Sequence, residues 1–237
     1  MDLFFSLALQ ILYGIANLAL ISLGLAIVFG MMRVINLAHG EFIMLGGYTV
    51  VVATNNGVNL WFAMLILAPL VVGLIGLIVE RCLIQWLYGR MIDTLLATWG
   101  LSLLFIGIIT SIFGASTSTV VSPPLGTVTI GEYTSSGYEL FLIFVVIVLL
   151  ALVYLTLKFT SLGLVARATM QNSDMSACLG ISTSKIYMVT FSLGAAVSGL
   201  AGGLLAPITG VLPNIGVIYI AKAFITVISG GSAILAG

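Results

Sequence analysis

Few side chains in this sequence could do chemistry, and those that could gather in two segments and one isolated lysine. The first segment is Asn36-Leu37-Ala38-His39-Gly40-Glu41, which places an amide, an imidazole and a carboxylate between two long apolar runs. Such groups at a helix end can simply anchor it at a membrane interface. They can also mark a broken or re-entrant element whose freed backbone lines a pathway. On that reading Asn36, His39 and Glu41, with Lys222, are the candidate lining of a substrate route. Lys222 lies inside an apolar stretch, where a lysine costs about 2.5–3.5 kcal/mol. It is therefore expected to face the bundle, unless the span is short and the amine reaches an interface. His39 is the only histidine and no cysteine lies near it, so no metal site is expected. Cys82 and Cys178 fit no disulfide or metal spacing. The sequence has no G-x-x-x-x-G-K-[ST] phosphate loop, no G-x-S-x-G elbow and no H-E-x-x-H pair. No catalytic residue and no cofactor is predicted.

The second segment lies between Lys158 and Lys185. Asn172 or Ser173 can cap a short helix, Asp174 suits its positive end, and Gly180 can close it in the left-handed conformation. The helix would present Met175, Ala177 and Leu179, either as a plain connector or as a docking knob for a partner. The small residues from Gly194 to Gly203 form a third pattern. Its pair Gly199 and Gly203 has the spacing that lets membrane helices approach closely.

The elements that must position these residues follow from composition. Hydrophobic residues make up 61% of the 237 and charged residues 6%. A soluble domain carries roughly 25% charged residues, so the solvent for this surface is lipid. The apolar runs are continuous rather than alternating, which selects helices over a barrel. The expected fold is an all-α integral membrane bundle of about seven helices, six to eight, with broken or re-entrant segments. The spans are placed within Leu7–Met32, then at Phe42–Ala53, Leu60–Val79, Thr94–Phe113, Leu140–Leu157, Tyr187–Ala206 (ended by Pro207) and from Val217 onward. The second span is short unless it borrows Asn36–Glu41.

Zero net charge argues against a nucleic-acid partner. Arg33, Arg81, Arg90, Lys158, Arg167 and Lys185 all fall in loops of one side, and none in loops of the other. That asymmetry predicts a cytoplasmic Lys158–Lys185 loop and an outside N-terminus. The opposite loop, Gly114–Glu139, contains Ser122-Pro123-Pro124, Gly126 and Gly131 and reads as a cap. The whole chain, 1–237, reads as one transmembrane domain. Its apolar, Gly-rich end from Ser229 to Gly237 leads to the expectation of a C-terminal truncation.

The run from Val34 to Phe42, followed by Gly46-Gly47-Tyr48, resembles the signature of permease subunits of bacterial branched-chain amino acid ABC importers. Arg167-Ala168, Ala177, Leu179-Gly180-Ile181, Thr190-Phe191, Gly194-Ala195, Ala201-Gly202, Lys222-Ala223-Phe224 and Gly230-Gly231 are similar to the same family, in order. The likeness is to the shorter, first permease. Met170-Gln171-Asn172, Met175 and Ala177-Cys178 also look like its urea and short-chain amide branch. The resemblance implies an inner-membrane permease, and with the charge asymmetry the N-terminus is then expected in the periplasm. It implies a second permease subunit, two cytoplasmic ATPase subunits and a periplasmic solute-binding protein as partners. It also implies that Asp174, Met175, Ser176, Ala177, Leu179 and Gly180 stand where importers carry an E-A-A-x-x-x-G coupling loop, with Met and Ser replacing the two alanines. The leading expectation is import of branched-chain amino acids by alternating access, with urea or a short amide as the alternative. A stand-alone secondary transporter would need more intramembrane carboxylates than the spans hold. A membrane enzyme would lack its catalytic groups.

Overall fold

The computed structural model describes residues 2–32, 34–120, 123, 125–130 and 133–230. Arg33, Ser122, Pro124, Gly131 and the closing stretch 231–237 lie outside them. So do the parts of the charge, loop and terminal readings that rest on those residues.

Five helical stretches are long and apolar enough to cross a membrane: Leu7–Met32, Leu60–Cys82, Met91–Phe113, Gly137–Phe159 and Thr183–Thr209. Among the described residues two shorter helices, His39–Asn55 and Ile215–Gly230, join them, in line with the expected bundle of about seven. In chain order α1 spans Asp2–Met32 and α2 His39–Asn55. The third rod joins α3 (Leu60–Phe62), a π-helical turn (Ala63–Leu67) and α4 (Ala68–Cys82). Pro69 explains that turn. It has no N–H for the carbonyl of Leu65, and its ring crowds that carbonyl, so the backbone widens before it. Helix α5 spans Met91–Phe113 and α6 Gly137–Phe159. Between them β1 (Thr127–Ile130) and β2 (Tyr133–Ser136) form a small antiparallel hairpin in the loop read as a cap. Helix α7 covers Ser161–Gln171, α8 Ser173–Cys178, α9 Thr183–Thr209 and α10 Ile215–Gly230.

Helix α9 is the axis. Of its most apolar window 61% is buried, against 17% in α5 and in α6, which ring the outside. Its small residues make this possible. A methyl on Gly199 would stand 2.6 Å from the Val72 Cβ, and one on Gly202 would overlap the Ile43 carbonyl. A methyl on Gly203 would lie 3.1 Å from the Ala68 Cβ. Gly199 and Gly203 thus let α2 and α4 reach the α9 backbone, which in lipid gains dispersion and interhelical hydrogen bonds. Ser192 Oγ donates to the Gly73 carbonyl at 2.8 Å, and the Tyr138 hydroxyl to the Leu204 carbonyl at 2.7 Å. These contacts run α1, α4 and α6 antiparallel to α9. They gather the described loop cations Arg81, Arg90, Lys158, Arg167 and Lys185 at one end of the bundle, while the hairpin sits at the other.

One boundary departs from expectation. Pro207 does not end the sixth span; the helix continues to Thr209 and stops at Gly210, whose φ is +66°. Proline's fixed φ is helical, and so near the end it forfeits only one internal hydrogen bond.

Candidate functional site

The segment between α1 and α2 is a break inside the bundle. After Met32 the chain runs non-helically through Val34–Ala38, and α2 starts at His39. The His39 ring fixes the depth of that start. Its Nε2 donates to the Ile21 carbonyl at 2.8 Å, and Ile21 lies about 16 Å along α1 from Met32 at 1.5 Å per residue. Nδ1 faces the Ser198 hydroxyl of α9 at 3.2 Å. His39 therefore ties α2 to α1 and α9 and is spent on packing. Asn36 is spent as well: its Oδ1 accepts from the Ala38 N–H at 3.0 Å, closing the turn that precedes α2.

Helix α10 also starts inside the bundle, opposite α2. Gly40 and Gly216 meet backbone to backbone, so a methyl on Gly40 would overlap the Gly216 carbonyl. A methyl on Gly216 would stand 2.8 Å from a Glu41 carboxylate oxygen and 2.9 Å from the Glu41 nitrogen. Only glycine permits this approach. Two helix beginnings thus converge at Glu41.

Glu41 is 0% exposed, and neither carboxylate oxygen has a hydrogen-bond partner. The Ser102 hydroxyl and the residue's own N–H lie beside the carboxylate without a bond of ordinary geometry. Ser102 belongs to a ladder on α5. Its fully buried residues are Thr94, Thr98, Ser102 and Ile109, whereas Leu96, Trp99, Leu103, Leu104, Ile108 and Ile112 face outward. Thr98 Oγ1 accepts from the Leu37 N–H at 3.1 Å. Thr94 Oγ1 is within 2.8 Å of the Arg90 carbonyl and 3.0 Å of the Leu87 carbonyl. Sequence reasoning missed this seam, although three hydroxyl residues at i, i+4 and i+8 in an apolar helix lie on one face.

Lys222 stands apart from this group. It is exposed on α10 beside exposed Ile218 and Ile225, so it does not point into the bundle of its own chain. The reason is register: Tyr219, Ala223 and Val227 take the inner face of α10, and a residue one position from Ala223 must turn away. The structure brings Asn36, His39 and Glu41 together and leaves Lys222 outside.

A second missed group sits at the basic end. Glu80 is 1% exposed at the end of α4 and accepts from the Tyr88 hydroxyl. The Tyr88 ring meets Tyr187 of α9 edge to face at 4.9 Å. Burial first, then the bond to Glu80, push the Tyr88 phenol far above the usual tyrosine range, so it stays a donor.

Helix α8 forms nearby, where expected. Asn172 rather than Ser173 is its cap, with Oδ1 accepting from the Met175 N–H at 2.9 Å. Gly180 has φ +83°; its N–H bonds the Ala177 carbonyl, and the Ile181 N–H bonds that of Ser176. This is the two-bond glycine terminus that closes helices. Met175 is 60% exposed and Leu179 76%, with Asp174 and Ala177 also exposed, while Ser176 is buried and bonds the Asn172 carbonyl. Among the described residues no group of three metal-ligating side chains occurs.

The profile of a family described as the permease component of branched-chain amino acid transport systems matches residues 7–237. The chain is similar to the high-affinity branched-chain amino acid transport system permease protein LivH of Escherichia coli. That match is 27% identical over 237 residues, covering 92% of this chain and 76% of the relative. The corresponding protein BraD of Pseudomonas aeruginosa is 30% identical over 235 residues, with the same coverage. A probable branched-chain amino acid transport permease protein of Methanocaldococcus jannaschii is 28% identical, covering 93% of this chain and 72% of that protein. No solved structure matches significantly.

Proposed function

Since the chain belongs to the family of branched-chain amino acid transport permeases, we propose that it carries branched-chain amino acids across a bacterial plasma membrane as one subunit of an ATP-binding-cassette importer. The observation that carries this reading, beside the family, is the pair of helices that begin inside the bundle around Glu41. Discontinuous helices of this kind place polar groups at mid-membrane only where a cavity or solute will use them. ATP would be hydrolysed by two partner chains at the basic end, which we assign to the cytoplasm together with α8. The exposed Met175, Ala177 and Leu179 supply the apolar contact, and a six-residue helix needs a partner to remain rigid. Motion of α8 reaches α9 directly and α4 through Tyr187, Tyr88 and Glu80. A second permease and an external binding protein complete the assembly, with substrate choice made largely by the latter.

The test is uptake by the reconstituted complex in liposomes carrying ATP inside. Leucine, isoleucine and valine should accumulate, and urea and acetamide should not. Urea uptake without amino acid uptake would replace the substrate assignment. Uptake by this chain without ATPase subunits would overturn the importer assignment.

A further inference from the structure

Glu41 is the one side chain of the candidate site that the fold leaves without a partner. Asn36 closes a turn and His39 ties three helices, yet both Glu41 oxygens are buried at mid-depth with nothing donating to them. A carboxyl in that position calls for a partner, and for a cationic donor most strongly, because a cation stabilises the ionised, acceptor-only form that burial alone disfavours. We propose that Glu41 is the group that receives the ammonium of an amino acid in transit, at a subsite opened when α5 parts from the segment Asn36–Glu41. The proposal deepens the importer reading and rests on it.

Three observations carry it. The first is the unpartnered carboxylate itself, at 0% exposure. The second is the wall it faces. Thr94, Thr98 and Ser102 make the buried face of α5 polar over the stretch nearest the break, while its outward face is apolar. Parting two apolar faces loses burial outright, but the hydroxyls and backbone groups of this seam can exchange partners with water or a solute. Helix α5 is therefore the wall that separates at least cost. The third is the floor: Gly40 and Gly216 put no side chain between Glu41 and the first turn of α10. An ammonium placed there would bond Glu41 and the Ser102 hydroxyl. The branched chain would be left to the half-buried Leu101 and Phe105 on the same side of α5.

The test uses the assembled permease–ATPase complex in lipid nanodiscs, without binding protein, so that delivery does not limit the result. A hydrophobic carbodiimide, kept in excess over any added carboxylate, adds to buried carboxyls, and peptide mass analysis reads Glu41 as the sum of its N-acylurea and, where an amine is present, the amide formed with loss of the urea. Millimolar 3-methylbutylammonium (the ammonium and branched chain alone) should protect Glu41. The same concentration of 4-methylpentanoate (the carboxylate and branched chain alone) should not. Equal protection by both, or by neither, overturns the proposal, and protection by sodium ion alone would reassign the site to an inorganic cation and overturn it too. In liposomes with the binding protein, Glu41→Gln should lower leucine uptake about tenfold or more, the scale of a lost charge-assisted hydrogen bond. Glu41→Asp should fall between. If Glu41→Gln transports like the parent, the proposal fails. If that variant does not assemble, the labelling of the parent complex still decides. Absence of leucine uptake by the parent would instead count against the importer reading, and leave the labelling result at Glu41 to stand or fall by itself.

Discussion

At the scale of single residues, His39 and Glu41 are two positions apart on α2 and have opposite fates. His39 bonds a carbonyl on one side and a hydroxyl on the other, whereas Glu41 has only the Ser102 hydroxyl and its own N–H beside it, without a bond of ordinary geometry. The sequence marks both as polar groups between apolar runs. It cannot separate them, because their neighbours Ile21, Ser198 and Gly216 come from other helices. Their substitutions should separate. Ser198→Ala removes one interhelical contact and should cost about 0.6 kcal/mol, as such bonds average in membrane proteins. Uptake per folded complex should be unchanged; thermal unfolding in detergent and liposome uptake check both. Tyr138→Phe should cost about as much by loss of the bond to the Leu204 carbonyl. A loss of uptake in either variant beyond the loss of folded protein would place these residues in the transport path instead.

At the scale of elements, glycines of one type do two jobs. Gly46 of α2 lies against the backbone of Gly199, where an added methyl would overlap the Gly199 carbonyl. Gly107 of α5 has nothing within 4 Å. Gly46→Ala should destabilise by about 1–3 kcal/mol, the range of overpacking. Gly107→Ala should be neutral, or gain up to about 1 kcal/mol of helix propensity. Melting curves of the two variants in one detergent would show the difference. Helix α8 gives another contrast. Gly180→Val forces a branched residue into a left-handed turn at about 1–2 kcal/mol, while Ala177→Asp leaves α8 intact and charges its exposed face. Both should impair ATPase association, but only Gly180→Val should also disturb α8 itself; pull-down of the ATPase and proteolysis of the α7–α9 segment would tell them apart. The cap and terminator of α8 were legible because capping is local chemistry. Helix α7 was not read at all, although Thr160 caps it by accepting from the Gly163 N–H; its apolar residues hid inside a loop defined by charges.

At the scale of the molecule, the composition and the loop cations predict a polytopic bundle with one basic end, and the structure gathers the described loop cations, Arg81, Arg90, Lys158, Arg167 and Lys185, at one end. What they could not foretell is which helix is central. Helices α5, α6 and α9 are all apolar, and only the glycines of α9, seen with their neighbours, mark it as the axis. The assignment of the basic end to the cytoplasm makes a direct prediction. With Cys82 and Cys178 replaced by serine, Thr117→Cys should react with an impermeant maleimide in intact cells, and Gln171→Cys only after lysis. Both positions are exposed. The reverse pattern would invert the topology and move the proposed ATPase contact to the other side.

The contact of α2 with α9 also sets a problem in time. Gly46 and Gly199 touch but are separated by about 150 residues of chain, which a ribosome supplies at about 5–20 residues per second. For about eight to thirty seconds a newly made α2 therefore has α1 beside it, whose Ile21 carbonyl can accept from His39, but no α9 to receive its glycine face. Insertion of this protein must include a waiting step, during which the glycine face of α2 is covered by something other than α9.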